Sequence, residues 1–219
     1  MKTKIGKIAR VDVTPFDSAI LERAAKLILK GEVLVCPTDT GYAFSANALD
    51  VRAIARVFQL KGRSYSNPIH IAVRTIQEAE NYAYVNDAAR YLAGRFLPGA
   101  LTLVLKKKGT IPSMLVAGLE TVGIRIPKND IILKLIEISG KPLTTTSANI
   151  SGKPGAYAVE EITAQLGPEM EKVAFTLDQG AIKQREVSTI VDLAATPAQL
   201  IRQGKISWLE IHNSLKQFE

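Results

Sequence analysis

Cysteine and histidine are almost missing from this chain, and their scarcity removes several chemistries at once. Cys36 is the one cysteine in 219 residues, so no disulfide forms within the chain. With only His70 and His212 beside it, a Cys/His zinc site lacks ligands. No apolar run approaches bilayer length, and the basic stretch MKTKIGKIARVDVTP has no apolar signal core. A cytoplasmic protein without membrane contact is therefore expected. Standard nucleotide loops are missing too. Gly152-Lys153-Pro154 lacks the upstream glycine and the Ser/Thr of a P-loop, and no GxGxxG opens a helix. No HExxH, GxSxG or paired-carboxylate arrangement is present, so hydrolase readings fail for want of parts. Acidic residues are outnumbered, 21 against 28 basic, for a formal net charge of +7. That excess suits a polyphosphate or nucleic-acid partner, or serves solubility alone.

Hydrophobic content of 47% and charged content of 22% are those of a globular protein. Helical spacing of Ile20, Leu21, Ala24, Leu27 and Ile28 follows Asp17 and Ser18 and stops at Gly31. Val33 to Cys36 is a continuous apolar run that predicts a strand buried on both faces. The polar loop 37–42 follows it, where open α/β sheets bind ligands. Asp50 caps a predicted helix through Val51, Ile54, Val57 and Phe58. Thr75 and Glu78 form a capping box for another through Tyr82. Further helices are predicted over 87–96, 130–139 with Asp130 as cap, 159–166, and after Ser207, this last with Trp208 on its packing face. Strands are predicted over 69–73, 101–105, 123–126, 173–177 and 189–193. The alternation predicts one α/β domain over residues 1–219, with a twisted mixed, largely parallel sheet and flanking helices.

The stretch KPLTTTSAN (141–149) reads as one strand running into the loop SGKPG. On a strand Thr145, Ser147 and Asn149 share one face, where they contact a ligand or bond their own backbone. Lys61 and Arg63 offer a compact charge and a planar fork, suited to phosphate oxygens and equally to a solvated helix end. Arg125 stands opposite Ile124 and Ile126 in VGIRIP. If that strand is central, the guanidinium needs an anion, either a ligand carboxylate or an internal acid. Asp39, the one acid in these loops, reads as a turn residue.

With these residues assembled, the chain resembles the YrdC family, the L-threonylcarbamoyladenylate synthases, in its single-domain form. The likeness is carried by PTDTGY (37–42), KGRSYSNP (61–68), LPGALTLVL (97–105), TVGIRIP (121–127), TTTSANISGKPG (144–155) and STIVDL (188–193), in the family's order. Longer members have an added C-terminal domain for which this sequence leaves no room. The resemblance implies a basic concave cavity and a nucleotidyltransferase reaction. L-threonine, bicarbonate and ATP give threonylcarbamoyl-AMP and pyrophosphate, for modification of tRNA at position 37 by a separate threonylcarbamoyl transferase complex. It implies that Thr40, Arg125, Thr145 and Ser188 surround threonine. Lys61, Arg63, Asn67, Thr121, Ser147, Asn149, Gly155 and Arg202 hold ATP, with Lys61 and Arg63 acting in catalysis. Mg²⁺ comes with the nucleotide, and no metal site of the protein's own is implied.

Two departures stand out. Tyr42-Ala43 replaces the family's Tyr-Gly, which shifts the loop. The histidine expected at Ala72 is found instead as His70, either a displaced substitute or a plain strand residue. The alternative reading of the whole is a noncatalytic module that binds tRNA or double-stranded RNA through its basic surface.

Overall fold

The structure, a computed structural model, describes residues 7–11, 18–183 and 185–218. β1 (Lys7–Arg10) precedes α1 (Ser18–Leu29), which buries Leu21, Ala24, Ala25 and Ile28 at helical spacing. Asp17, expected ahead of that helix, lies outside the described residues. β2 (Leu34–Thr38) and β3 (Gly41–Ser45) form a hairpin across Asp39-Thr40, closed by Gly41 at φ 126. α2 (Val51–Lys61) starts at the Asp50 cap and ends at left-handed Gly62. β4 (Ile71–Ala72) is shorter than its apolar run, and α3 (Ile76–Ala79) is a single turn behind Thr75. α4 (Asp87–Phe96), β5 (Leu101–Lys106) and β6 (Thr121–Arg125) follow. α5 (Asp130–Ser139) is capped by Asn129, not by Asp130 as expected, because the Asn129 side chain accepts from the amides of Ile131 and Ile132. β7 (Leu143–Thr144), β8 (Thr146–Ser147), α6 (Val159–Leu166), β9 (Phe175–Asp178), β10 (Thr189–Asp192), β11 (Gln199–Arg202) and α7 (Trp208–Leu215) complete the order.

The strands make two mixed sheets, ordered β1-β9-β2-β3-β8 and β11-β10-β5-β6-β4-β7. The α/β class and the mixed pairing are as expected, but a largely parallel sheet is not what forms. β1 and β2 flank β9 in parallel, as do β10 with β5 and β4 with β6. Antiparallel pairs are at least as frequent: β2-β3, β3-β8, β5-β6, β4-β7 and β10-β11. The reason is local. Thr38 Oγ1 donates to the carbonyl of Gly41 at 2.6 Å and accepts from the Thr40 amide at 3.1 Å, which folds the chain back at once.

The run TTTSAN is not one strand either. It breaks at Thr145, so that Thr144 pairs in the second sheet and Thr146 and Ser147 in the first. Thr144 Oγ1 donates to Phe44 O and accepts from Ala46 N, both at 3.0 Å, tying the crossing chain to β3. The larger apolar core holds Phe44, Phe58, Ile71, Leu103 and Ile124. A second packs α1 and α5 on β2 and β9 through Leu21, Ile28, Leu135, Cys36 and Phe175.

Candidate active site

The joint between the sheets is hollow. Thr40, Arg63, His70, Arg125, Thr145, Ser147, Asn149, Gly155, Ser188 and Arg202 line one cavity of about 230 Å³. Six segments far apart in sequence thus converge. Among the described residues no aspartate or glutamate lines the cavity, while Arg63, Arg125, Lys153 and Arg202 do. Its field is accordingly positive, and a low-dielectric wall focuses such a field on an anion.

Arg125 is 5% exposed at the end of β6. Its Nη1 donates to Thr40 Oγ1 at 2.8 Å and its Nη2 to Asp39 Oδ1 at 3.0 Å. Both alternatives for its anion are therefore in play, since an internal acid holds one edge of the fork. Nε is buried and has no partner among the described residues. A stranded guanidinium N–H is costly.

Lys61 is 1% exposed, and its ammonium points into the protein. It donates to Ser147 O at 2.6 Å, Asn149 O at 3.1 Å and Asn149 Oδ1 at 2.9 Å. Burial, then nearby Arg63, pulls its pKa down to about 7, while three oxygen acceptors favour the charged form. All three ammonium hydrogens are committed, and the residue holds the 147–149 turn from behind. Asn149 completes that turn, accepting from Ser147 Oγ at 2.5 Å and donating to Ile150 O. Arg63 does line the cavity, braced by the carbonyls of Asn67 at 3.2 Å and Pro68 at 3.0 Å.

Two expected residues are elsewhere. Asn67 is exposed and serves through its main-chain oxygen on Arg63, not through its side chain in the cavity. Thr121 starts β6 at the end opposite Arg125 and lines a separate hollow with Tyr84, Glu120 and Asp192.

His70 lines the cavity, whereas Ala72 is fully buried in the second core. The imidazole is thus the one at the site. Burial, followed by Arg202, Arg125 and Arg63, pushes its pKa down to about 4, so it is neutral at physiological pH. Ala43, the other departure, pairs with Ser147 across β3 and β8 and stays in regular strand. Ser188, 4% exposed, meets Thr102 Oγ1 at 2.9 Å and accepts from Arg202 Nη2 at 3.0 Å.

Sequence reasoning missed Tyr42, Lys153 and Tyr157, which line the cavity together with Thr38. Lys153 was visible in SGKPG, but only the fold brings that loop beside Ser147. Among the described residues no group of three His, Cys, Asp or Glu could hold a metal ion, and Asp39, beside the cavity, is held by Arg125.

Comparisons with known proteins bear on this arrangement. The chain is 42% identical over 206 residues to a putative threonylcarbamoyl-AMP synthase of Methanocaldococcus jannaschii, covering 94% of this chain and 95% of that one. It is 39% identical to the threonylcarbamoyl-AMP synthase of Pyrococcus abyssi over 86% of its own length, but spans only 55% of that longer protein. The crystal structure of Pyrococcus abyssi Sua5 complexed with L-threonine superposes with a TM-score of 0.90 at 36% identity, over 95% of this chain and 61% of that one. Residues 26–204 match the Sua5, YciO and YrdC family model, described as "Telomere recombination", and the chain belongs to that family.

Proposed function

We propose that this protein is a threonylcarbamoyl-AMP synthase, a nucleotidyltransferase that joins L-threonine, bicarbonate and ATP into threonylcarbamoyl-AMP and releases pyrophosphate and water. The observation that carries the reading is Arg125, a nearly buried guanidinium on the wall of a cavity that no acid lines among the described residues. A free amino-acid carboxylate is the small ligand that fits it. The names of the relatives and the threonine bound to the Pyrococcus abyssi structure support the same choice.

The roles follow from position. Arg125 holds the threonine carboxylate, with Thr40 fixed on Nη1 to aim the fork. Neutral His70 and Thr145 face the remaining polar groups of the amino acid. Arg63 and Lys153, on the Ser147 and Asn149 side, take the phosphates, joined by Arg202. As the carbamate oxygen attacks the α-phosphorus and pyrophosphate leaves, fixed cations stabilise the developing charge. Lys61 acts through the turn it holds. ATP enters as its Mg²⁺ complex, because the cavity wall has no carboxylate to supply a metal. The product would pass to the transferase complex that modifies tRNA.

The test is pyrophosphate release from ATP, Mg²⁺ and bicarbonate with and without L-threonine. Threonine-dependent release is expected. Salt-sensitive RNA binding without any threonine-dependent turnover would replace this reading with the noncatalytic one.

A further inference from the structure

Thr102 stands, fully buried, in a row of side chains whose other members, Arg125, Ser188 and Arg202, line the cavity. On β5 it is the register partner of Arg125 on β6 and of Ile190 on β10. Directly paired residues project to one face, and Ser188 lies two positions before Ile190 on that face. Arg125, Thr102, Ser188 and Arg202 thus follow one another across neighbouring strands. Thr102 is fully buried, and its hydroxyl has one hydrogen-bond partner among the described residues, Ser188 Oγ at 2.9 Å.

Counting hydrogens fixes the direction of that bond. Arginine has donors only, so the 3.0 Å contact from Arg202 Nη2 uses one lone pair of Ser188 Oγ. Were Ser188 to donate to Thr102, the Thr102 hydrogen would be stranded in a dry strand interior. Thr102 therefore donates, the second Ser188 lone pair is filled, and the Ser188 hydrogen is left for the cavity.

We infer that Thr102 is a positioning residue: it forces the Ser188 hydroxyl to act as a donor, so this corner of the cavity takes an anionic oxygen and not an ammonium. The inference rests on the threonine reading above, under which that oxygen belongs to the carboxylate shared with Arg125. The threonine amine is then left to the His70 and Thr145 side.

Calorimetric titration with L-threonine and with L-threoninamide, which lacks the carboxylate, tests this without turnover. Wild-type protein should bind threonine and discriminate against the amide. Thr102→Val should weaken threonine by about tenfold, as loss of a hydrogen bond to a charged group does. It should leave the amide nearly unaffected, so the discrimination shrinks. Thr102→Ser, which keeps the hydroxyl, should restore most of the threonine affinity. Equal weakening of both ligands, or unchanged threonine binding in a folded Thr102→Val protein, overturns the role of Thr102 and leaves the proposed function standing. Failure of the wild type to bind threonine overturns both. If Thr102→Val does not fold, the same comparison between Thr102→Ser and Thr102→Ala decides: the serine variant must keep the discrimination and the alanine variant lose it.

Discussion

Gly123 lies beneath the His70 imidazole: a Cβ placed on Gly123 would sit 2.4 Å from His70 Cδ2 and 2.8 Å from its Cγ. The absent side chain on β6 is what lets the ring rest against the strand beside Arg125. Gly123→Ala should push the ring off the floor and into the cavity. Overpacking of this kind costs about 1–3 kcal/mol of stability. Threonine affinity should fall by more than ATP affinity, since the ring sits on the Arg125 side. Titration of each ligand, with a urea melt as control, checks it; equal losses for the two ligands count against a threonine-side His70.

The depressed pKa of His70 gives a pH dependence whose sign is fixed. The unfolded imidazole takes its proton near 6.5, the folded one only near 4. Between these values the unfolded chain binds more protons, so stability falls as pH drops from 6.5 towards 4 and is fully present above that window. In His70→Gln this contribution is gone, and the stability-pH curve should be flatter through the window. Urea unfolding of both proteins at pH 7, 5.5 and 4.5 provides the measurement. Parallel curves would mean that His70 is not held neutral.

Much of this was legible in the sequence, and the misses share physical causes. Helices 87–96, 130–139 and 159–166 announce themselves by period and by their stops. GYAFS did not read as a strand, because β3 is buried throughout and shows no alternation. QLIR in β11 lies on the sheet edge, exposed at every position, and its pattern is equally mute. The site residues were found by type, but their direction was not. Lys61 and Arg63 are two residues apart, yet one faces the turn and the other the cavity, because left-handed Gly62 separates them. Thr121 and Arg125 share one motif and stand at opposite ends of one strand.

Lys61→Ala should act on the turn before it acts on the nucleotide. Asn149 O would lose its donor, while Ser147 O keeps the Asn149 amide and Asn149 Oδ1 keeps Ser147 Oγ. A loss of about 1–2 kcal/mol in stability is expected from stranding one buried acceptor. ATP affinity should fall with it, as Ser147 leaves its place. A variant of unchanged stability would show that Lys61 is free to meet the ligand.

Arg63→Ala should do the reverse. Its contacts are two main-chain carbonyls of an exposed turn, so stability should change little. Threonine-dependent pyrophosphate release should drop by about 10²-fold, the usual effect of removing a fixed charge from a transition state. Near-normal turnover would remove Arg63 from the phosphate path.

Asp39 is both the counter-ion of Arg125 and the nearest rival of a substrate carboxylate. The pair is well shielded, with side-chain exposures of 7% for Arg125 and 15% for Asp39. Asp39→Asn keeps an acceptor but removes the charge, leaving a buried guanidinium uncompensated in the empty protein. Breaking one side of such a pair costs about 3 kcal/mol. Threonine would then supply the missing charge, and a ligand that binds only the folded state raises stability by its affinity. Both effects have one sign: Asp39→Asn should melt lower than wild type without ligand and gain more from saturating threonine. Thermal melts with and without threonine check it, against L-threoninamide as the uncharged control. An equal threonine-induced shift in the two proteins would mean that the carboxylate does not share Arg125 with Asp39.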